Sequence, residues 1–489
     1  MKPSYILSID LGTTGNRAIV FDKKQRILSR AYKEFPQIFP KPGWVEHDAE
    51  KIWQSARRVL VGATRRVAPT QIAAIGITNQ RETTILWDRQ TGKPVHRAIV
   101  WQDRRTSDLC KRLKKKELLV RKITGLVLDP YFSGTKIAWL LKNPAIRRLA
   151  QQKRLAFGTP DSWLLWKLTG GKIHATDVTN ASRTLLWDLS RKQWSAPMLR
   201  MLGIPASILP RVHPSGFVFG TTVKQGPLAA GIPIAGIAGD QQAALFGQGC
   251  VKPGQAKNTY GTGCFLLMQT GKKKIISKNG LLTTAVCDEK GRPAYGLEGA
   301  VFIAGAAVQW LRDGLKIIKK ASETEKMARS VPDSGGVYMV PAFVGLGAPY
   351  WNPDARGLIC GLTSGTGPAH LVRATLESIA YQSEELVDAM QKDSGIRLKR
   401  LQVDGGAVKN NFLLEIQANL LGVPVARPRN VETTAMGAAQ LAGLTIRFWS
   451  TAQLQRMRQA DKTFLPKWSA ARRKQAVAGW KKAVSRALL

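Results

Sequence analysis

The feature that most constrains this chain is a short turn between two strands that occurs twice, once near the start of each half. The first copy, Ser8-Ile9-Asp10-Leu11-Gly12-Thr13-Thr14-Gly15-Asn16-Arg17, follows the apolar run 5–9 and precedes a second run, 18–21. The later copy, Asn258-Thr259-Tyr260-Gly261-Thr262-Gly263-Cys264, precedes the apolar run 265–268. A strand, a tight Gly-Thr turn and a returning strand aim backbone N–H groups and hydroxyls at one point, which holds phosphate without a helix-borne loop. Two such turns in related halves predict one nucleotide held between two α/β lobes.

At 489 residues the chain is too long for one ordinary core and suits two substantial domains. We place the boundary at the crossing-like stretch 249–254, giving 1–248 and 249–489. No uncharged apolar stretch reaches the eighteen or so residues of a membrane span. The passage from Lys2 into a patterned strand does not read as a signal peptide. Cys110, Cys250, Cys264, Cys287 and Cys360 are odd in number and lack CxxC spacing, which predicts a reduced, intracellular protein. His47, His96, His174, His213 and His370 show no zinc-ligand spacing.

Seventy-four Lys and Arg against thirty-three Asp and Glu give a net charge of +41. That balance reads either as attraction to nucleic acid, anionic lipid or polyanions, or as a general basic bias over a solvated surface. The clusters at 111–116, 272–274, 472–474 and 481–482 are scattered and have no basic tail or aromatic stacking motif. The second reading is therefore preferred.

Alternation and turn residues predict strands at 5–9, 18–21, 27–35, 72–77 and 83–87, with a helix from about Asp48. A buried strand over 232–237 ends at Gly239-Asp240-Gln241-Gln242, followed by a helix-like stretch. Strands recur at 256–260, 265–268, 281–287 and 294–298, then helices from Ala304 and over 368–391, then a strand over 400–403 ending in Asp404-Gly405-Gly406. Such alternation indicates α/β lobes. Neither GxxxxGK[ST] nor GxGxxG occurs, which removes the main signatures of P-loop enzymes, protein kinases and dinucleotide-binding dehydrogenases.

The remaining candidates each carry two readings. Asp10 either caps its own hairpin or holds a hydrated Mg²⁺, an ion that prefers carboxylate, water and phosphate oxygens. Thr13, Thr14 and Arg17 suit phosphate contacts. Gln80-Arg81-Glu82 is either a surface ion pair or a donor–acceptor set for a polyol's hydroxyls. Asp240, at the end of an apolar strand, is either a helix cap or a base that accepts a hydroxyl proton. Trp101 and Phe265 are either core or apolar walls of a site.

Taken together the segments resemble the FGGY family of carbohydrate kinases, and the resemblance runs through essentially the whole chain. Tyr131-Phe132-Ser133-Gly134-Thr135-Lys136-Ile137-Ala138-Trp139-Leu140 is similar to one family signature. Gly357-Leu358-Ile359-Cys360-Gly361-Leu362, continuing through His370-Leu371 to Ala374-Thr375-Leu376-Glu377, is similar to the other. Four further segments resemble the branch of the family that acts on glycerol. They are Lys41-Pro42-Gly43-Trp44-Val45-Glu46-His47, Ile77-Thr78-Asn79-Gln80-Arg81-Glu82-Thr83-Thr84, Gly239-Asp240-Gln241-Gln242-Ala243-Ala244-Leu245-Phe246-Gly247 and Lys257-Asn258-Thr259-Tyr260-Gly261-Thr262-Gly263-Cys264-Phe265.

The resemblance implies two duplicated actin-like (ribonuclease H-like) α/β domains with an interdomain cleft, and ATP-dependent phosphorylation of glycerol to sn-glycerol 3-phosphate. It implies that Arg81, Glu82, Tyr131, Asp240 and Gln241 bind glycerol beside Trp101 and Phe265, with Asp240 as the base. Thr13, Thr14, Gly15, Arg17, Thr262, Gly305, Gln309, Gly406 and Asn410 would surround ATP, and Asp10 would face Mg²⁺ through water. The implied partners are glycerol and ATP, in a cytoplasmic homodimer or homotetramer with no specific nucleic acid and no membrane insertion. Other readings are a family kinase for another polyol or a ketose, or a non-catalytic polyanion-binding protein on the same fold. Two departures stand out. Family members commonly have Ser-Ser where this chain has Gly15-Asn16. The stretch Lys224-Gln225-Gly226-Pro227-Leu228-Ala229-Ala230 lacks the Arg of a loop that binds an inhibitory sugar bisphosphate in some bacterial members.

Overall fold

The computed structural model describes residues 3–224, 226–352 and 354–489. Gln225, in the loop compared above with the sugar-bisphosphate site, and Lys2 lie outside the described residues.

Each half is built on one mixed sheet. In the first, the hairpin Tyr5–Leu11 with Gly15–Phe21 pairs antiparallel, and Ile27–Glu34 adds to its outer side. On the other side Ile72–Asn79 and then Pro233–Gly239 run parallel to Tyr5–Leu11, and Gly220–Thr221 closes the edge antiparallel. The second sheet repeats this order. Ala256–Tyr260 pairs antiparallel with Cys264–Gly271, and Pro293–Val301 adds outside it. Leu401–Asp404 and Val425–Pro428 follow in parallel on the other side, and Ala460–Phe464 closes antiparallel. One extra strand, Leu282–Cys287, extends the second sheet beyond Pro293–Val301. The duplication is therefore nearly complete in topology, although little beyond the Gly-Thr turn repeats residue for residue.

The inner strands are buried on both faces, which is why they read as apolar runs rather than alternating ones. Register places Asp10 opposite Thr78 in the first sheet and Thr259 opposite Asp404 in the second, so each half ends its central parallel pair with one carboxylate.

The halves are stitched together by two helices that cross. Asp240–Gly247 ends the first half, and its Leu245 packs with Leu267 and Val286 of the second sheet. Thr433–Thr445, from the second half, covers the first sheet through Ala435, Met436, Ala439 and Ala442 against Ile6, Ile19 and Ala74. This exchange is invisible in the order of elements. Glycines make it possible: a Cβ on Gly437 would lie 1.8 Å from the Ala243 carbonyl oxygen, and one on Gly76 would lie 2.1 Å from that of Ala438. Backbone occupies the space of a side chain, so both elements approach more closely than any other residue would allow. Among the described residues no helix is long and apolar enough to cross a membrane.

Candidate active site

The candidate residues stand at strand ends and helix starts contributed by both halves. In the first lobe Ile72–Asn79 runs into Gln80, Arg81 and Glu82. The Thr83 N–H donates to the Arg81 carbonyl at 2.6 Å, a three-residue turn that puts Glu82 at φ +60°. A non-glycine residue in that region marks a position held by its surroundings. Gly239 makes the room beside it, since a Cβ there would sit 2.7 Å from Arg81 Cγ and Cδ.

Arg81 and Glu82 are not a surface pair. Both are buried, and they belong to a five-charge cluster with Arg183, Glu298 and Asp240 that spans the lobes. Arg81 donates to Glu298 through Nη1 at 2.6 Å and Nη2 at 2.9 Å, and its Nε lies 3.2 Å from Asp240 Oδ1. Arg183 donates to Glu82 Oε1 at 2.6 Å and to Glu298 Oε1 at 3.1 Å. Burial raises the Glu298 carboxyl, but Arg183 and Arg81 outweigh it and hold it at about 2. Asp240 opens the helix Asp240–Gly247 and accepts the Gln241 N–H at 2.7 Å. Its pKa is raised by burial, against the opposing pull of Arg81, that N–H group and Lys257. A carboxylate so placed accepts a proton more readily than an exposed one.

Tyr131, Trp101 and Phe265 form an aromatic corner beside these charges. The Trp101 ring lies edge-on to Tyr131 at 5.6 Å and to Phe265 at 6.4 Å between centroids. The signature segment explains how Tyr131 is held. Buried Lys136 donates to the carbonyls of Pro130 at 2.6 Å and Tyr131 at 2.7 Å, while Ser133 Oγ donates to the Glu82 carbonyl at 2.9 Å. Burial pulls the Lys136 ammonium down to about 8. Trp101 Nε1 donates to Thr13 Oγ1 at 2.9 Å, so the aromatic corner touches the first Gly-Thr turn directly.

That turn is propped from behind. Gln80 Nε2 donates to the Gly12 carbonyl at 3.1 Å and Gln37 Nε2 to the Thr13 carbonyl at 3.0 Å. His47 Nε2 lies 2.5 Å from Gln37 Oε1 and its Nδ1 3.5 Å from Gln80 Nε2. The Gly12 and Thr13 carbonyls are thus engaged, and the Gly12 N–H closes the turn on the Gly15 carbonyl at 3.1 Å. Asn16 Nδ2 donates to the Ile52 carbonyl at 2.8 Å. The space over Gly15 is filled instead by Tyr32, whose hydroxyl would lie 2.8 Å from a Cβ there and stands 3.4 Å from Thr14 Oγ1. Arg17, read as a phosphate contact, is ion-paired with Glu432.

In the second lobe the turn at Gly261-Thr262-Gly263 receives the start of the helix Gly305–Asp313. The Gly305 N–H donates to the Gly261 carbonyl at 3.0 Å and Ala306 to Thr262 at 3.1 Å, and Gln309 follows one turn on at an exposed position. Gly405, at φ +93°, packs against the Tyr260 backbone, which leaves open space over Gly406. Asn410 caps the helix Asn411–Leu421 through the Leu413 N–H at 3.0 Å and donates to Thr324 Oγ1 at 3.1 Å. Thr262 and Gly305 thus stand at the second turn and Gln309 one helical turn beyond it, while Asn410 fixes the start of its own helix.

Asp10 lies behind the first turn. Burial lifts its carboxyl to about 7, opposed by Arg17 and reinforced by Asp240 and Glu432. Among the described residues it makes no ion pair, and no three His, Cys, Asp or Glu side chains gather as a metal cage. One carboxylate without an ion pair beside a Gly-Thr turn fits an ion held mainly by water and by oxygens that a ligand would bring.

Sequence reasoning missed Arg183, Glu298, Lys257 and Lys136, all fully buried. For Glu298 the available signal was a single ionisable residue inside an otherwise apolar stretch, which is rarely buried without a partner; Arg183 and Lys257 stand among polar residues and carry no such signal.

The lobes and their shared site define a carbohydrate kinase. Residues 5–247 match the N-terminal domain of the FGGY family of carbohydrate kinases and residues 256–446 its C-terminal domain, and the chain belongs to that family. Among curated relatives it is 56% identical to the glycerol kinase of Symbiobacterium thermophilum over 493 residues, covering 100% of this chain and 99% of that one. It is 57% identical to the glycerol kinase of Carboxydothermus hydrogenoformans, with the same coverage. Among solved structures, that of Plasmodium falciparum glycerol kinase with ADP superposes with a TM-score of 0.94 at 38% identity, covering 99% of this chain and 98% of that chain. A ligand-bound xylulose kinase from Lactobacillus acidophilus, at 21% identity and a TM-score of 0.88 over 99% of this chain and 97% of that one, shares the fold.

Proposed function

We propose that this chain transfers the γ-phosphoryl group of ATP to a terminal hydroxyl of glycerol, giving sn-glycerol 3-phosphate and ADP. The observation that carries the reading is one site holding Asp240, Arg81 and the Trp101–Tyr131–Phe265 corner directly against the first phosphate turn, in a chain that matches glycerol kinases from end to end. Arg81, Glu82, Tyr131 and Gln241 fix the triol against Trp101 and Phe265. Asp240 orients the reacting hydroxyl and takes its proton late, a contribution of roughly 10²–10⁴-fold for a positioned base. In a loose phosphoryl-transfer transition state the remaining work is alignment and stabilisation of charge on the phosphoryl oxygens.

Thr13, Thr14, Gly15 and Arg17 from one lobe, with Thr262, Gly305, Gln309, Gly406 and Asn410 from the other, surround the nucleotide. Arg17 exchanges Glu432 for a phosphate oxygen as it does so. Asp10 is the residue that would hold Mg²⁺ through water, and the ion would neutralise phosphate charge. Residues 1–248 and 249–489 act as the two lobes, stitched by the exchanged helices, and their closure excludes water from ATP. The expected setting is the cytoplasm, as a homodimer or homotetramer. A panel of glycerol, dihydroxyacetone, erythritol, xylulose and gluconate with Mg-ATP tests the reading. Glycerol should give the highest kcat/KM, and a preference for xylulose or gluconate would replace the substrate assignment.

A further inference from the structure

Lys257 lies on the inner strand Ala256–Tyr260 of the second lobe and is completely buried. Its ammonium donates to the side-chain carbonyl oxygen of Gln241, to Thr259 Oγ1 at 2.7 Å and to the Phe265 carbonyl at 3.3 Å. An ammonium has three donors and no acceptor, so all three are used. The Gln241 amide therefore cannot turn over: its NH₂ group facing Lys257 would set donor against donor in a buried place. Gln241 follows Asp240 at the start of the helix Asp240–Gly247, on the side of the site that the polyol occupies in the reading above.

We propose that Lys257 is a positioning residue that fixes the Gln241 amide so that the polyol meets only its NH₂ group. The inference rests on the assignment of Gln241 as a glycerol ligand and adds to it a direction. Glu82 and Asp240 present acceptors to the substrate's hydroxyl protons, whereas Gln241, locked from behind, presents a donor to a hydroxyl oxygen. The site thereby demands an oxygen acceptor at that point of the substrate. The same ammonium contact to the Phe265 carbonyl ties the aromatic wall to the amide, so a single buried charge sets two parts of the polyol site.

The test compares wild type with Gln241→Glu, Lys257→Met, Gln241→Ala and the Lys257→Met/Gln241→Ala double variant. Glycerol and ATP are varied separately. Gln241→Glu keeps an oxygen for Lys257 and replaces the outward NH₂ by a second oxygen. It should melt like wild type, raise the glycerol KM by about tenfold or more, and leave the ATP KM unchanged. Lys257→Met should raise the glycerol KM by about tenfold in the wild-type background and add nothing to Gln241→Ala, because the two act through one contact. A Gln241→Glu enzyme with a glycerol KM within twofold of wild type overturns the proposal, as do additive effects of the two substitutions. If Lys257→Met fails to fold, Gln241→Glu alone decides. A wild-type enzyme that leaves glycerol untouched overturns the function reading and this inference with it. Wild-type turnover with an unaffected Gln241→Glu overturns the inference alone.

Discussion

Replacing Glu298 by Gln probes the charge that locks Arg81 across the lobes. Glu298 is completely buried and takes three N–H bonds, two from Arg81 and one from Arg183. Gln has the same shape, so the change opens no cavity; it removes the charge and, because both Glu298 oxygens accept arginine N–H groups, sets its NH₂ against one of those donors. Breaking a buried pair by removing one partner costs about 3–5 kcal/mol, because the opposite charges stay buried. The pKa gives a consistent figure: a carboxyl held at about 2 rather than 4.5, at 1.36 kcal/mol per unit, contributes about 3 kcal/mol. A folded-state pKa below the unfolded value means this stabilisation is complete above pH 4.5 and is lost as pH falls toward 2. Unfolding entropy for a chain of 489 residues is about 1 kcal/mol/K, so calorimetry at pH 7 should show a Tm lower by about 3–5 °C. Arg81, released from its anchor and repelled by Arg183, should bind glycerol several-fold less well while the ATP KM holds. A Tm within 1 °C of wild type together with an unchanged glycerol KM would refute the reasoning.

Three other perturbations reach different parts of the account. Gly437→Ala drives a Cβ into the Ala243 carbonyl 1.8 Å away, so the crossing helices must separate. Overpacking of about 1–3 kcal/mol should lower the Tm by about 1–3 °C in calorimetry and reduce kcat, because Asp240 opens one of those helices. Desolvation holds buried His47 and half-buried His174 down at about 4, so the unfolded chain takes up protons below pH 6.5 that the folded chain refuses. Stability should therefore be full above pH 6.5 and fall as the pH drops toward 4, and His174→Gln should flatten that slope in a series of melts. Trp101→Phe removes the indole N–H bond to Thr13 and should raise both glycerol and ATP KM by about 2–10-fold, as loss of one hydrogen bond implies; an unchanged ATP KM would break the proposed link between aromatic corner and phosphate turn.

Much of this fold is legible in the chain because the inner strands of the first half are largely apolar runs that stop at Gly-Thr, Gln-Arg-Glu or Gly-Asp-Gln. Those stops are where the site residues stand. The helix Thr433–Thr445 is apolar all round, since it lies between the first sheet and the helix Asp240–Gly247, and an all-round apolar helix carries no stripe that says which lobe it joins. Arg183, Glu298 and Lys257 acquire meaning only from partners brought together by the fold; Arg81 and Glu298 are 217 residues apart. Asn16 stands in the first Gly-Thr turn by sequence but turns its side chain to the Ile52 carbonyl, while its neighbour Gly15 is covered by Tyr32, neither of which the sequence shows.

The central claim is that Asp240 promotes phosphoryl transfer to glycerol in this cleft. Phosphorus NMR of wild type and Asp240→Asn, each with glycerol and Mg-ATP, tests it most directly. The account predicts that wild type converts the γ-phosphorus into a glycerol monoester with one ADP for each, whereas Asp240→Asn binds ATP and loses turnover by roughly 10²–10⁴-fold. Near-wild-type turnover by Asp240→Asn, or ADP formed with no glycerol ester, would contradict it.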